Sequence, residues 1–377
     1  MASRNPQRLA FIEALKAIAC QLIVLHHLAF YGPMSDRASQ LAPDLVAWLS
    51  NHGRLAVQAF LVIAGFLAAK AVAPQGRLVA RAPSVLIGKR YLRLVVPYVV
   101  VLALAIASAA IARGWMQHDS IPALPTSAQV LAHVLLLHDL LGFEALSAGL
   151  WYVAIDFQLF ALFLAVLWLA RWVEGRTTAP GWLGPAIVGG LALASLFFFN
   201  RDPDWDRWAL YFFGAYAMGA AAFWISSRPN AARWLALLVL SVVAALTLDF
   251  RSRIAAALSV AVLLVLVSRT GVLTQWPRHR GIAFLGRISY AVFLVHFPVC
   301  LLVNAAFVRF LPANAGFHAF GMLAAWVASV GVGALFYRLV ESRVDAVTTR
   351  GRALVRSARG WAPPLVRLRS AAARGAD

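Results

Sequence analysis

Charge is scarce in this chain. Asp, Glu, Lys and Arg make up 13% of its 377 residues, about half the share with which a soluble domain covers its surface. A water-facing globule is therefore excluded. A large soluble domain beside a membrane part is excluded too, because 62% of the residues are hydrophobic and the mean hydropathy is +0.76. Acid is scarcer still: 15 Asp and Glu stand against 34 Lys and Arg, a formal net charge of +19. Such a surplus can serve nucleic acid. Here it falls mostly between and after the hydrophobic runs, with arginine far ahead of lysine, which is the pattern of membrane topology signals; no nucleic-acid partner is expected. Cysteine is nearly missing. Cys20 and Cys300 both lie inside apolar runs, which excludes a disulfide framework, leaves the compartment unread and makes them small core residues. The chain also lacks HExxH, a CxxC pair, a Walker loop, GxGxxG after a strand and GxSxG, so no metal site is expected.

What is present is a succession of apolar segments. A bilayer core takes ~20 mostly apolar residues per helix, and the sequence offers such runs at 10–30, 54–73, 94–113, 149–171, 183–199, 208–226, 233–249, 253–269, 287–309 and 318–340. The expected fold is all-α, a polytopic bundle of about ten spans. The first run holds Glu13, Lys16, His26 and His27 with no small-residue cleavage site after it, and reads as a retained helix, not a leader. The stretch 127–141 is apolar but short and holds His133 and His138, which suits an interfacial or re-entrant segment. An even number of spans puts both ends on one side. The 70–93 segment carries Lys70, Arg77, Arg81, Lys89, Arg90 and Arg93 with no acid, whereas 114–148 carries Asp119, Asp139 and Glu144 with no Lys or Arg. Both termini are therefore expected in the cytoplasm. Residues 1–341 read as one transmembrane domain and 342–377 as an Arg-rich cytoplasmic tail, poorly ordered or lying along anionic headgroups. No internal repeat is evident. The small residues Gly214, Ala215, Ala217, Gly219 and Ala220 suit close helix packing.

Polar groups inside a span need a reason, since a charge there costs roughly 2.5 to 3.5 kcal/mol. The first span is densest. At ~100° per residue, positions eleven apart return to one face, so Lys16 and His27 share a face, Glu13 can pair with Lys16, and His26 points elsewhere. The set reads either as a structural ion pair with a headgroup-level histidine or as a polar channel in which His27 is a base. Arg90 and Arg93 lie on one face at the start of the third span, either as a topology anchor or as a clamp for phosphates. Asp156 sits about two turns into the fourth span behind the interfacial pair Trp151 and Tyr152. Ser289 and His296 are seven apart on the ninth span, behind Arg287. His296 precedes Pro298, whose freed backbone carbonyl offers the histidine a structural partner.

In this order the segments resemble those of the membrane-bound acyltransferase family 3. Residues 12–19, IEALKAIA, with His27 beyond, look like the family's opening "LDGLRAIA…H". VQAFLVIAGFL from Val57 to Leu67 looks like "VDLFFVLSGFL". Arg90, Arg93 and Pro97 match "RRxxRhhP", and Trp151 to Phe160 looks like "WSLSVEEQFY". LGRISYAVFLVHFPV, from Leu285 on, looks like "LGRISYSLYLWHWPV", and Tyr337 to Glu341 like "YRLVE". The resemblance runs over 12–341. The chain departs from the pattern at Lys16 for arginine, Gln58 for aspartate, Ala64 for serine, Asp156 for glutamate and Phe157 for a second acid.

The resemblance implies an O-acetyltransferase of the bacterial inner membrane. Such proteins take an acyl group, usually acetyl, from cytoplasmic acyl-CoA and pass it to a hydroxyl of a surface or exported carbohydrate. It implies His27 as general base or acyl carrier, with Glu13, Lys16 and Asp156 around it. Arg90 and Arg93 would hold the phosphates of acetyl-CoA, and Ser289, His296 and Arg287 would line the channel. The chain stops soon after Glu341, so the acceptor is expected at the bundle and its outer loops 31–53 and 114–148, with no appended extracellular domain. A secondary transporter or exporter and a non-catalytic part of a glycan-assembly complex are the alternatives.

Overall fold

In a bilayer a backbone finds hydrogen-bond partners only in itself, so apolar runs of this length become helices. The computed structural model of the protein describes residues 9–175 and 181–344, and ten helices there are long and apolar enough to cross a membrane. They are α1 (Ala10–Phe30), α2 (Pro43–Val72), α3 (Pro83–Trp115), α4 (Leu150–Glu174), α5 (Leu183–Phe197), α6 (Ala209–Ser226), α7 (Ala231–Leu248), α8 (Ser252–Arg269), α9 (Arg280–Phe310) and α10 (Ala315–Phe336). The described residues contain no strand. The tail expected from residue 342 lies almost wholly outside them.

The expected spans are all found, α1 at the same bounds. Three are longer than the apolar pattern shows. α2 begins with a polar helix, Pro43–His52, and runs through a 3-10 turn at Gly53–Leu55 into Ala56–Val72. α3 and α9 start eleven and seven residues earlier than expected, because helix continues through 83–93, which carries Lys89, Arg90 and Arg93, and through 280–286, which opens on Arg280. Long aliphatic stems let Lys and Arg extend a helix past the apolar core. Both helices carry an internal proline, Pro97 and Pro298. α10 ends in a π-helical turn, Tyr337–Glu341.

Side-chain ties define the bundle's two ends. At the end where α1 begins, here the terminal end, Arg77 pairs with Glu174 at 3.1 Å, Arg171 donates to Val79 O, Trp224 Nε1 donates to Ala73 O and Arg269 donates to Arg228 O. At the opposite end Asn304 Nδ2 donates to Tyr31 O and Gly32 O, Arg37 lies 2.7 Å from His318 Nε2, and Arg251 donates to Leu196 O and Asn200 Oδ1.

α6 is the bundle's centre, 72% of its residues buried, and α7 its least buried member at 17%. The small residues of α6 do what their size suggests. A Cβ on Gly219 would collide with Val62 O, and one on Gly65 with Tyr216 O, so α2 and α6 touch backbone to backbone through reciprocal glycines. The 127–141 segment holds a short helix, Ser127–Val134, capped by Thr126 Oγ1, which accepts from Gln129 N. It does not cross. It docks on α3 and α4, where Tyr91 OH donates to Val134 O at 2.9 Å and Gln158 Nε2 to Leu136 O at 3.4 Å.

Candidate functional site

A cavity of about 460 Å³ opens between α1, α2, α3, α4, α6, α9 and the π-turn at the terminal end. Glu13, Lys16, Arg90, Arg93, Asp156, Arg287 and Ser289 all line it, so seven of the nine site residues expected from sequence meet in one space although four helices supply them. Lys16 lies within electrostatic reach of both Glu13 and Glu341. Arg90 does not stand free. Its Nη2 is bonded to Asp156 Oδ2, its Cζ lies 5.5 Å over the Phe160 ring, and its Nε is buried with no hydrogen-bond partner. The intramembrane acid thus has its compensating cation, while one guanidinium N–H stays unsatisfied. Ser289 Oγ donates to Gly286 O, and Cys20 Sγ donates to Ser289 O.

Three contacting rings form part of the cavity's wall. Phe60 of α2, Tyr152 of α4 and Phe293 of α9 contact one another with centroids 6.0, 5.9 and 5.4 Å apart. Gly149 makes this packing possible. It caps α4 with φ +103, which glycine adopts freely, and a Cβ there would fall 3.1 Å from the Phe293 ring.

The remaining two expected residues meet beside Phe293, whose ring centroid lies 5.9 Å from that of His296. His27, near the end of α1, and His296, in the middle of α9, are 269 positions apart, and His27 Nδ1 lies 2.6 Å from His296 Nε2. Their planes differ by 5° and their centroids are 4.9 Å apart, which places the rings end to end in one plane with the bond along their common axis. His296 Nδ1 lies 2.7 Å from Phe293 O. A carbonyl only accepts, so His296 Nδ1 carries the hydrogen. In the neutral ring Nε2 then accepts, His27 Nδ1 donates to it, and the lone pair of His27 is assigned to Nε2. That atom makes no hydrogen bond among the described residues. His296 does not use the carbonyl freed by Pro298, that of Leu294; its partner is Phe293 O. His26 points away, as expected, with Nδ1 3.0 Å from Leu49 O. Neither His27 nor His296 lines the first cavity.

A second cavity, about 740 Å³, opens at the opposite end. Gln58, Arg54, Asp139, Trp151, Arg207 and Arg253 are among its walls. Trp151 lines it while its neighbour Tyr152 lines the first cavity, so the two cavities approach each other along the first turn of α4. Gln58 is buried and makes no hydrogen bond among the described residues. Behind this cavity His133 and His138 stack at 4.0 Å. His133 is tied to Gln129 O and Leu146 N. Burial, and then His133, push His138 down to about 3. Burial, and then Asp206, push the Asp139 carboxyl up to about 6. Their 3.5 Å contact therefore joins no ion pair at neutral pH, because the imidazole is uncharged there.

The sequence left several site residues unread. Tyr216 and Tyr290 line the first cavity as ordinary apolar-run aromatics, and Phe60, Tyr152 and Phe293 carried no signal of forming a ring cluster. The Arg90–Asp156 pair was hidden because its members are 66 positions apart.

Ten apolar helices enclosing polar side chains define a multi-pass membrane protein whose chemistry is held inside the bundle. The chain belongs to acyltransferase family 3: the family's model, described as an acyltransferase domain, matches residues 9–337. No curated protein and no solved structure matches it. Acyl transfer in general follows from that membership.

Proposed function

We propose that this protein takes an acetyl group from cytoplasmic acetyl-CoA and transfers it, across the inner membrane, to a hydroxyl of a surface or exported carbohydrate. The observation that carries the reading is the in-line chain Phe293 O, His296, His27, which leaves the Nε2 lone pair of His27 without a hydrogen bond among the described residues, next to Phe293 in the wall of the first cavity.

The basic, acid-poor connections of the terminal end favour a cytoplasmic placement for it, which makes the first cavity the donor's. Lys16, Arg93 and Arg287 attract the donor's phosphates. Arg90, fixed by Asp156, offers its unpartnered Nε to a polar atom of the thioester arm. Displacement of the three rings brings the acyl carbon to His27. The second cavity receives the acceptor, with Trp151 and Tyr211 as stacking faces and Gln58, Arg54 and Asp139 as hydrogen-bonding groups. His27 Nε2 takes the hydroxyl proton as the oxygen adds to the thioester carbonyl. It returns that proton to the departing thiolate, so an ester and a free thiol leave. His296 keeps the imidazole in the reactive tautomer and shares the transient positive charge with the Phe293 carbonyl dipole.

Surface glycans from cells with and without the protein, compared by mass spectrometry, test this. Acetyl mass differences that mild base removes and that vanish with His27→Ala are expected. Full acetylation by His27→Ala protein would overturn the mechanism. Polar cavities opening at opposite ends also suit a secondary transporter; passage of a solute with no ester formed would identify one.

A further inference from the structure

A third cavity lies apart from this machinery, on the flank of the bundle between α5, α6 and α7, with a volume of about 550 Å³. It follows from the standing of α7, the least buried span, which leaves a cleft open against α6. The floor is small and apolar: Ala186, Gly189, Ala217 and Ala221 line it. Ser241, a polar residue in its wall, is satisfied within its own helix, donating to Leu237 O at 2.8 Å. From Pro185 to Leu196 the cleft follows α5 for about 16 Å at the helical rise, close to half the ~30 Å hydrocarbon core. Its depth is that of one leaflet.

Its mouth is chemically different. Trp182, Trp224 and Trp234 stand there at the terminal end, and Arg228 lies 5.2 Å over the Trp234 ring. Arg233 begins the next helix turn, and Arg269 reaches across to Ser226 O and Arg228 O. Among the described residues no acid pairs with any of these three arginines. Indole rings favour headgroup depth, and unpaired guanidinium groups bind phosphate bidentately.

We propose that this cleft holds one anionic phospholipid, its acyl chain against the Ala/Gly floor and its phosphate on Arg228 and Arg233. A second copy of the chain would find at the mouth only like charge. A neutral lipid would leave the arginines unused.

The structure supplies a variant for the test. A Cβ at Gly189 meets nothing within 4 Å, so Gly189→Phe fills the floor without a clash and raises helix propensity. Full-length protein, exchanged into detergent with phosphatidylglycerol or with phosphatidylcholine of equal chain length, is weighed by native mass spectrometry, with circular dichroism to check each variant's fold. Wild type is expected to retain one phosphatidylglycerol and to prefer it over phosphatidylcholine. Arg228→Gln weakens that preference about fivefold, and Arg233→Gln as much again. Gly189→Phe loses both lipids. Unchanged preference in the double arginine variant, or a retained lipid in folded Gly189→Phe, overturns the proposal. So does a wild-type dimer that Gly189→Phe splits, which would give the cleft to a second copy.

Discussion

On the proposed reading His296 acts through one proton. Because its Nδ1 is held by Phe293 O, its Nε2 faces His27 as an acceptor in the neutral state. Glutamine at 296 can present a carbonyl oxygen at the same reach, whereas leucine presents nothing. His296→Leu is expected to lower kcat for acetyl transfer about 100-fold with little change in donor KM, and His296→Gln to recover much of the loss with an altered pH profile. Equal losses in both variants would mean that His296 only fills space. Asp139 gives a second handle at this scale. Its carboxyl, raised to about 6, is favoured protonated in the fold, so its contribution to stability is complete below the ordinary aspartate range and is lost as pH rises to about 6. Thermal unfolding in detergent should show wild type losing on the order of 2 kcal/mol between pH 4 and 7 through this group; Asp139→Asn removes that slope. Residue identity was the legible part of the site. His27, His296, Asp156 and Lys16 stand out because polar atoms are costly inside a span. Their partners were illegible, since helix periodicity relates residues on one helix and says nothing about which of two distant helices pack together.

Elements were legible where apolar character begins and ends together with the helix, as in α1. They were misjudged where polar turns extend it, as at Pro43–His52 and in the cationic starts of α3 and α9. A hydropathy window reports burial in lipid, while the backbone's need for hydrogen bonds carries the helix further. The Ser127–Val134 helix shows the converse: apolar enough to leave water, too short to span, it is held by Tyr91 and Gln158 instead. Contact between α2 and α6 rests on two glycines. Gly219→Leu should therefore destabilise the bundle by about 3 kcal/mol or more, read as a lowered unfolding temperature, while Gly190→Leu, whose Cβ faces open space, should leave it unchanged. Comparable losses in the two variants would show that close approach is not what Gly219 provides.

On the scale of the whole molecule, the aromatic layer has a consequence for the cell that houses it. A polar cavity of about 460 Å³ opens at one end and one of about 740 Å³ at the other, and the contacting rings Phe60, Tyr152 and Phe293 in the wall of the first are the expected insulation between them. A membrane stores energy only while it does not conduct, and a bundle hollowed from both ends is a shunt unless the side chains between the hollows hold it shut. Phe60→Ala with Phe293→Ala is expected to let a proton gradient across vesicles bearing the protein decay several-fold faster than wild type, followed with a pH-sensitive dye. An unchanged decay would place the seal elsewhere. A faster decay would give the rings two masters: on the proposed reading they yield to an acyl group carried in by its donor, and they stay closed to the far smaller ions that press on them without pause.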